Sequence, residues 1–313
     1  MSQVISKTAG DTHDLPMKSA PAPAKEDASS VGVARPPLRV GLAGFGAVGQ
    51  DLARRLLRGD LPGAVLSAVC ANRLDAARER LDALDDVAGA GKTVPAMRLD
   101  AMLDKVDIVC ECATAESFPA IARAVVSAGK TMITVSVAGL PNTPDLMDLA
   151  LRHGGRIRVA SGGLPGLDAV RAVKEDGIDT IRLKTTFRPE SLAHEPFVRG
   201  LGFDFGSVPA ASVPNTKVFA GTAREAAAAF PRHFNVAIAL SLCGVGFDKT
   251  DVEVWVDGAV EGAVQEIDVK AYAADLTLIS RNRPSRNPRT SRIVAPSVMA
   301  ALRNFVDILQ VGS

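Results

Sequence analysis

One stretch constrains this chain more than any other: Leu38-Arg39-Val40-Gly41-Leu42-Ala43-Gly44-Phe45-Gly46-Ala47-Val48-Gly49-Gln50. A short apolar run leads into Gly-x-Gly-x-x-Gly at Gly44, Gly46 and Gly49, and Val48, Leu52 and Leu56 follow at helical spacing. Strand, tight turn and helix form the context in which that glycine pattern binds a dinucleotide. Gly44 suits the tight turn, Gly46 carries no side chain to hold a pyrophosphate off the backbone, and Gly49 lets the helix pack closely on the strand. The first N–H groups of the helix have no intrahelical partner and face a bound anion. Phe45, Ala47 and Val48 complete this candidate cofactor loop. A plain strand–turn–helix with incidental glycines is the alternative, and the flanking residues speak against it.

A chain of 313 residues is long enough for two domains with real cores. A net charge of +1 provides no basic field, and aromatic residues at 4% provide few stacking platforms, so nucleic acid is not an expected partner. No apolar run is long enough to span a bilayer, so no membrane partner is expected either. Cys70, Cys110, Cys112 and Cys243 lie in apolar segments and read as reduced thiols of a cytoplasmic protein. Cys110-Glu111-Cys112 lacks the spacing and partner pair of a zinc site, so no metal is expected.

Residues 1–36 are rich in Ala, Pro, Ser, Lys and Asp, have no periodic apolar face and lack the apolar centre of a secretory signal; they read as a disordered arm. From Leu38 strands and helices alternate: strands at 65–70, 107–112, 131–137 and 156–160, helices at 76–84, 117–128 and 144–152. That alternation predicts a doubly wound parallel sheet of Rossmann type over 37–160, with ligands at the carboxyl ends of its strands. Residues 161–290 read as an α+β domain for substrate and subunit contacts, with strands at 180–187, 217–220, 252–256, 264–269 and 275–279, helices at 223–229 and 235–243, and an irregular stretch at 188–215. The last segment, 291–313, carries an amphipathic helix over 296–309 that packs back with Val298, Leu302, Phe305 and Leu309 inward.

The residue that selects the cofactor belongs at the end of the second strand, where the chain reads Cys70-Ala71-Asn72-Arg73. An acidic residue there would hold the ribose hydroxyls of NAD, and none is present. Asn72 and Arg73 suit a 2′-phosphate, which tilts the expectation towards NADP, with NAD or dual use retained. Arg73 as a solvated helix-entry charge is the alternative.

Several segments together resemble the L-aspartate dehydrogenases: Gly44–Gly49, Ser136-Val-Ala-Gly-Leu140, Ser161-Gly-Gly-Leu-Pro-Gly-Leu-Asp168, Phe230-Pro-Arg-His-Phe-Asn-Val-Ala237, Gly246-Phe-Asp-Lys-Thr250 and Asn282-Arg-Pro-Ser-Arg-Asn-Pro-Arg-Thr-Ser291. They span nearly everything after residue 38. The resemblance implies a Rossmann domain with a second domain like that of dihydrodipicolinate reductase. It also implies hydride transfer from the α-carbon of L-aspartate to nicotinamide, giving iminosuccinate and then oxaloacetate and ammonia. By resemblance Asn235 is a cofactor contact, and Gly163 stands where relatives have a small alanine beside the nicotinamide. Cys112 and Ala113, at the end of the 107–112 strand, join the cofactor set. Ser161, Arg289, Thr290 and Ser291 are the candidates for the carboxylates of an amino or imino dicarboxylate substrate. Helix capping alone is the competing account of Thr290 and Ser291.

Two departures from the family stand out. Relatives place an acid/base histidine just before the strand near Ile267, one residue beyond an Asn, where this chain reads Gly262-Ala263-Val264-Gln265. Gln265 orients water or substrate by hydrogen bonds but does not exchange a proton near neutral pH. Where relatives read Pro-x-Asn-x-Asn-Val-Ala, this chain reads Pro231-Arg-His233-Phe-Asn235-Val-Ala237. The expectation is that His233 supplies the proton function from another side of the pocket; a surface or capping histidine is the alternative. His13 lies in the arm, His153 at a helix C-terminus, and His194 on a stretch that is a lid or an oligomer arm.

Three functions follow: an NAD(P)-dependent aspartate dehydrogenase, a relative acting on a different amino or imino acid, or a cofactor-binding protein without turnover. A semialdehyde dehydrogenase would need an activated cysteine, and Cys243 has no visible activating neighbour. Sugar oxidoreductases of similar fold carry Glu-Lys-Pro after a mid-domain strand, where this chain has Ser136-Val-Ala-Gly. By fold analogy, second-domain strands pairing across a twofold axis would give a homodimer or larger homo-oligomer.

Overall fold

The computed structural model describes residues 35–84, 87, 89–231, 233–284 and 291–312. Two sheets organise these residues. The first contains β1 (Leu38–Ala43), β2 (Ala64–Cys70), β3 (Ala96–Met97), β4 (Ile108–Glu111), β5 (Thr131–Thr134) and β6 (Arg156–Val159), all parallel, in the order β3-β2-β1-β4-β5-β6. This is the doubly wound order, which reverses direction between β1 and β4 and opens a crevice at their carboxyl ends. Five helices connect the strands: α1 (Ala47–Leu57), α2 (Leu74–Asp82), α3 (Leu99–Leu103), α4 (Phe118–Ser127) and α5 (Leu146–His153). Helix α1 buries Gly49, Leu52, Ala53 and Leu56, spaced along one face as an amphipathic helix requires. On the opposite face of the sheet, α4 buries Phe118, Ile121, Ala122, Val125 and Val126.

Strand β3 and helix α3 lie in a segment to which periodicity assigns nothing: a two-residue strand and a five-residue helix are too short to show a period.

The second sheet contains β7 (Ile178–Phe187), β8 (Thr216–Thr222), β9 (Thr250–Val256), β10 (Val264–Ala271) and β11 (Leu276–Arg281), in the order β11-β10-β7-β9-β8. Only β7 and β9 pair parallel. Alternating side chains divide its two faces. One face buries Ile181, Leu183, Val252, Val254, Ile267 and Val269. The other carries exposed ion pairs such as Arg182–Asp268 at 2.6 Å and Lys184–Glu266 at 2.8 Å, each worth at most about 1 kcal/mol.

Helices α6 (Leu167–Lys174), α9 (Ala223–Ala229) and α10 (Asn235–Cys243) contribute to the core on the buried face. Helix α9 starts with a capping box in which Thr222 and Glu225 satisfy each other's backbone N–H groups. Helix α10 is apolar nearly all round and buries Ala237, Ile238, Ala239, Leu240 and Ser241, while Leu242 near its end is exposed. The stretch 188–215 is not structureless. It holds the short helices α7 (Pro189–Leu192) and α8 (Pro196–Gly200), each opened by a proline at its first position.

The final helix, α11 (Val294–Val306), returns to the first sheet, where Ala295, Val298, Met299, Ala301 and Leu302 join the core that holds Leu52 and Leu56. The expected inward set is correct for Val298 and Leu302 only. Phe305, still within the helix, is 41% exposed under Arg158; Leu309 is 80% exposed because the helix stops at Val306 and Asp307 is extended. The arm assigned to residues 1–36 lies almost wholly outside the described residues. Among the described residues no helix is long and apolar enough to cross a membrane.

Candidate active site

The three glycines of the first loop are required for three different reasons. Gly44 has φ +100°, and a Cβ there would lie 2.6 Å from the Ala113 nitrogen. A Cβ on Gly49 would run into the carbonyl oxygen of Gly44. A Cβ on Gly46 would meet nothing within 4 Å, so that position faces open space at the start of α1. This is the cradle a pyrophosphate needs, and the residues present fit a dinucleotide. Gly46→Ala is therefore expected to leave the thermal midpoint nearly unchanged while weakening dinucleotide binding about tenfold or more, whereas Gly44→Ala destabilises the fold. Titration of NADPH fluorescence beside a thermal melt checks both.

A cavity of about 630 Å³ extends from this loop past the end of β2. It brings together Gly44, Phe45, Gly46, Asn72, Arg73, Cys112 and Ala113. Two further cations line it that sequence spacing did not single out: Arg98, just before α3, and Arg80, from α2, whose Nη1 donates to the Phe45 carbonyl at 2.9 Å. Among the described residues no carboxylate lines this cavity; Asp75 and Glu79 line the adjoining one, which shares Asn72, Arg73 and Arg98 with it.

A second cavity, of about 280 Å³, lies between the carboxyl ends of the first sheet and the second sheet. Its wall unites Ala47, Val48, Cys112, Ala113, Ser161, Gly163, His233, Asn235, Gln265 and Ser291. Arg289 and Thr290 lie outside the described residues. Ser136, Phe187 and Asn282 also line it and were not singled out as site residues from sequence. Asn235, the first residue of α10, accepts the Ala138 N–H at 2.9 Å and so ties the second domain to the loop after β5. Gly163 and Asn282 are matched: the Asn282 amide donates to the Gly163 carbonyl at 3.1 Å, and a methyl group on Gly163 would sit 3.2 Å from that nitrogen.

His233 is not a surface residue. Its side chain is 9% exposed, its Nε2 lies 3.1 Å from Glu195 Oε1, and the Phe187 ring meets it edge-on at 5.6 Å. Gln265 is 3% exposed, and its Oε1 accepts the hydroxyl proton of fully buried Thr185 at 2.6 Å. With its oxygen engaged, Gln265 offers a ligand its amide N–H bonds, so it acts as a donor. His194 instead meets Arg199 at 3.2 Å on the exposed side, away from both cavities.

The family model described as "Aspartate dehydrogenase, C-terminal" matches residues 168–305, and the one described as "Homoserine dehydrogenase, NAD binding domain" matches residues 44–160. L-aspartate dehydrogenase 3 of Bordetella bronchiseptica is 38% identical over 89% of this chain and 99% of its own length. The chain belongs to the L-aspartate dehydrogenase family. L-aspartate dehydrogenase of Bradyrhizobium diazoefficiens is 39% identical, covering 88% of this chain and 94% of its own. The aspartate dehydrogenase structure from Thermotoga maritima superposes with a TM-score of 0.62 at 20% identity, over 88% of this chain and 99% of that one, and supports the fold.

In this member of the aspartate dehydrogenase family the junction of β4 and β5 holds a buried acid that sequence reading passed over. Glu111 is fully buried. Its carboxyl accepts the Ala113 N–H at 2.8 Å, the Thr134 hydroxyl at 2.6 Å and the Ser136 N–H at 3.3 Å. Desolvation pushes its carboxyl above the usual carboxylate range, and these donors only partly offset that. Glu111 thereby shapes two backbone turns, at Ala113 and Ser136, that line the inner cavity. The only sequence signal was a lone carboxylate inside an apolar strand, Ile108-Val-Cys-Glu111.

Proposed function

We propose that this chain is an NAD(P)-dependent L-aspartate dehydrogenase whose proton chemistry runs through His233 and which prefers NADP. The observation that supports this most is the meeting of Val48, Asn235, His233 and Gln265 on one cavity wall at the carboxyl ends of the first sheet. Gly44, Gly46 and Gly49 would hold the pyrophosphate, and Cys112, Ala113, Gly163 and Asn235 would surround the nicotinamide, which when bound supplies the hydride acceptor. Oxidation at an amino α-carbon also releases a proton from nitrogen, and His233 is the titratable side chain on this wall suited to take it. Hydrolysis of the imine needs a water activated in the same place, which the same imidazole serves. Gln265, Ser161 and Ser291 line the wall as donors for the substrate carboxylates. Arg289 and Thr290 belong to the same proposal.

The preference for NADP rests on Asn72, Arg73 and Arg98, which line the cavity at the end of β2. Arg73→Ala or Arg98→Ala is expected to raise KM for NADP⁺ about tenfold and to leave KM for NAD⁺ within about twofold. Equal effects on both would make Arg73 a solvated charge. A cytoplasmic homo-oligomer completes the proposal, consistent with four free cysteines.

The test is steady-state reduction of NADP⁺ and NAD⁺ with L-aspartate at alkaline pH, comparing the native chain with Gln265→His. Turnover by the native chain supports the proposal. Turnover by Gln265→His alone means that the pocket recognises aspartate but lacks its acid/base group. Silence from both, with NADPH still bound, transfers the assignment to another amino or imino acid or to a cofactor-binding role.

A further inference from the structure

Glu195 has no role in the family pattern described above, yet it is the side chain that holds His233. It stands between α7 and α8, and its backbone is fixed at both ends: its N–H donates to the Leu192 carbonyl at 3.0 Å, and its carbonyl accepts the Arg199 N–H at 3.1 Å. Arg199 braces the elbow further, donating from Nε to the Ala193 carbonyl at 3.0 Å. The prolines Pro189 and Pro196 start the two helices that flank it. From this rigid elbow the carboxylate reaches the imidazole at 3.1 Å, across 38 residues of sequence, with the two side chains only 8% and 9% exposed. The Phe187 ring confines the imidazole further. The imidazole in turn lines the inner cavity.

We propose that Glu195 is a positioning residue for His233, and that carboxylate and imidazole act as one acid–base dyad. This inference rests on the assignment of proton transfer to His233 made above. A carboxylate accepting from Nε2–H fixes the orientation of the imidazole and favours its protonated form. When the imidazole takes the proton released from the substrate nitrogen, it becomes a cation beside a fixed anion. In a site shielded from water that attraction is much stronger than in bulk solvent. The proton then passes to water. The geometry follows the logic by which a buried carboxylate orients a catalytic histidine in hydrolytic triads. It also gives the elbow within the 188–215 stretch a function: it delivers the counter-charge for a histidine that stands on the turn before α10 and not on β10.

A double-mutant cycle tests this. Native protein, Glu195→Gln, His233→Gln and the double variant are compared for kcat, for KM of the amino acid and for NADPH affinity by fluorescence. Glutamine at 195 keeps a hydrogen-bond acceptor and removes the charge. Glutamine at 233 keeps a donor near the position of Nε2. Glu195→Gln is expected to lower kcat about 10- to 100-fold with KM and NADPH affinity within about twofold, and to cause no further loss once His233 is replaced. Glu195→Asp, which keeps the charge, is expected to retain more kcat than Glu195→Gln, and provides the readout should the latter lose NADPH binding. An unchanged kcat in Glu195→Gln, or the same loss with and without His233, overturns the dyad while leaving His233 in place. A native kcat in His233→Gln overturns the underlying assignment, and the dyad with it.

Discussion

Replacing His233 with glutamine is expected to lower kcat for amino-acid oxidation by about 10²–10⁴-fold, the usual contribution of one general acid–base group. NADPH affinity should change little, because the residues of the dinucleotide loop lie on a different element. The size of the effect follows from the cavity wall. Among the described side chains of that wall His233 carries the only imidazole, while Gln265, Asn235, Asn282 and the serines only donate or accept hydrogen bonds. Introducing Gln265→His into the His233→Gln background is expected to recover part of the loss. Thr185, now 2.6 Å from the Gln265 oxygen, is placed to hold one ring nitrogen and so orient the new imidazole. Pre-steady-state rates of NADPH formation measure both effects without interference from product release. Native rates in His233→Gln would return the proton to solvent.

Glu111→Ala is expected to destabilise the protein by about 3–5 kcal/mol, visible as a fall in the urea midpoint. The change strands the Ala113 N–H and the Thr134 hydroxyl, both now bonded to a fully buried carboxyl, while the Ser136 N–H keeps Thr134 Oγ1 at 3.2 Å; an orphaned buried donor costs about 1–3 kcal/mol. The cavity left by the side chain adds to this, and relief from burying the carboxyl subtracts from it. The charge predicts a pH signature as well. Burial raises the pKa of Glu111 in the folded protein, so between the unfolded value of about 4.3 and the raised folded value the native state binds more protons than the unfolded chain. Its contribution to stability is therefore greatest below the unfolded value and falls as pH rises through that interval. Subtracting the stability of Glu111→Gln, which cannot ionise, isolates this contribution from the carboxylates elsewhere whose paired arginines hold their pKa values low, such as Asp107 and Asp145. The native-minus-variant difference should decline with rising pH across the interval. A flat difference would show that Glu111 ionises alike in both states.

The local layout of the molecule was written in the sequence. The run from Leu38 to Gln50 is strand, turn and helix because apolar spacing and three glycines act over a few residues. Helices α9 and α10 fall at the bounds that a capping box and an apolar block define. Family membership was legible for the same reason, being carried by contiguous segments. The pairings that form the candidate site lie beyond the reach of spacing. Glu195 and His233 are 38 residues apart, and Thr185 and Gln265 are 80 apart. Arg98 borders the cofactor cavity because the two-residue strand before it pairs with the end of β2. Periodicity even misled at the C-terminus, where it carried the last helix on to Leu309 although the chain leaves helical geometry after Val306. Backbone preference and side-chain period act on near neighbours, and one chain reports them directly. Which side chain meets which across two sheets depends on register and on helix placement over the whole fold, so only the tertiary structure decided that His233 faces a carboxylate and Gln265 a hydroxyl.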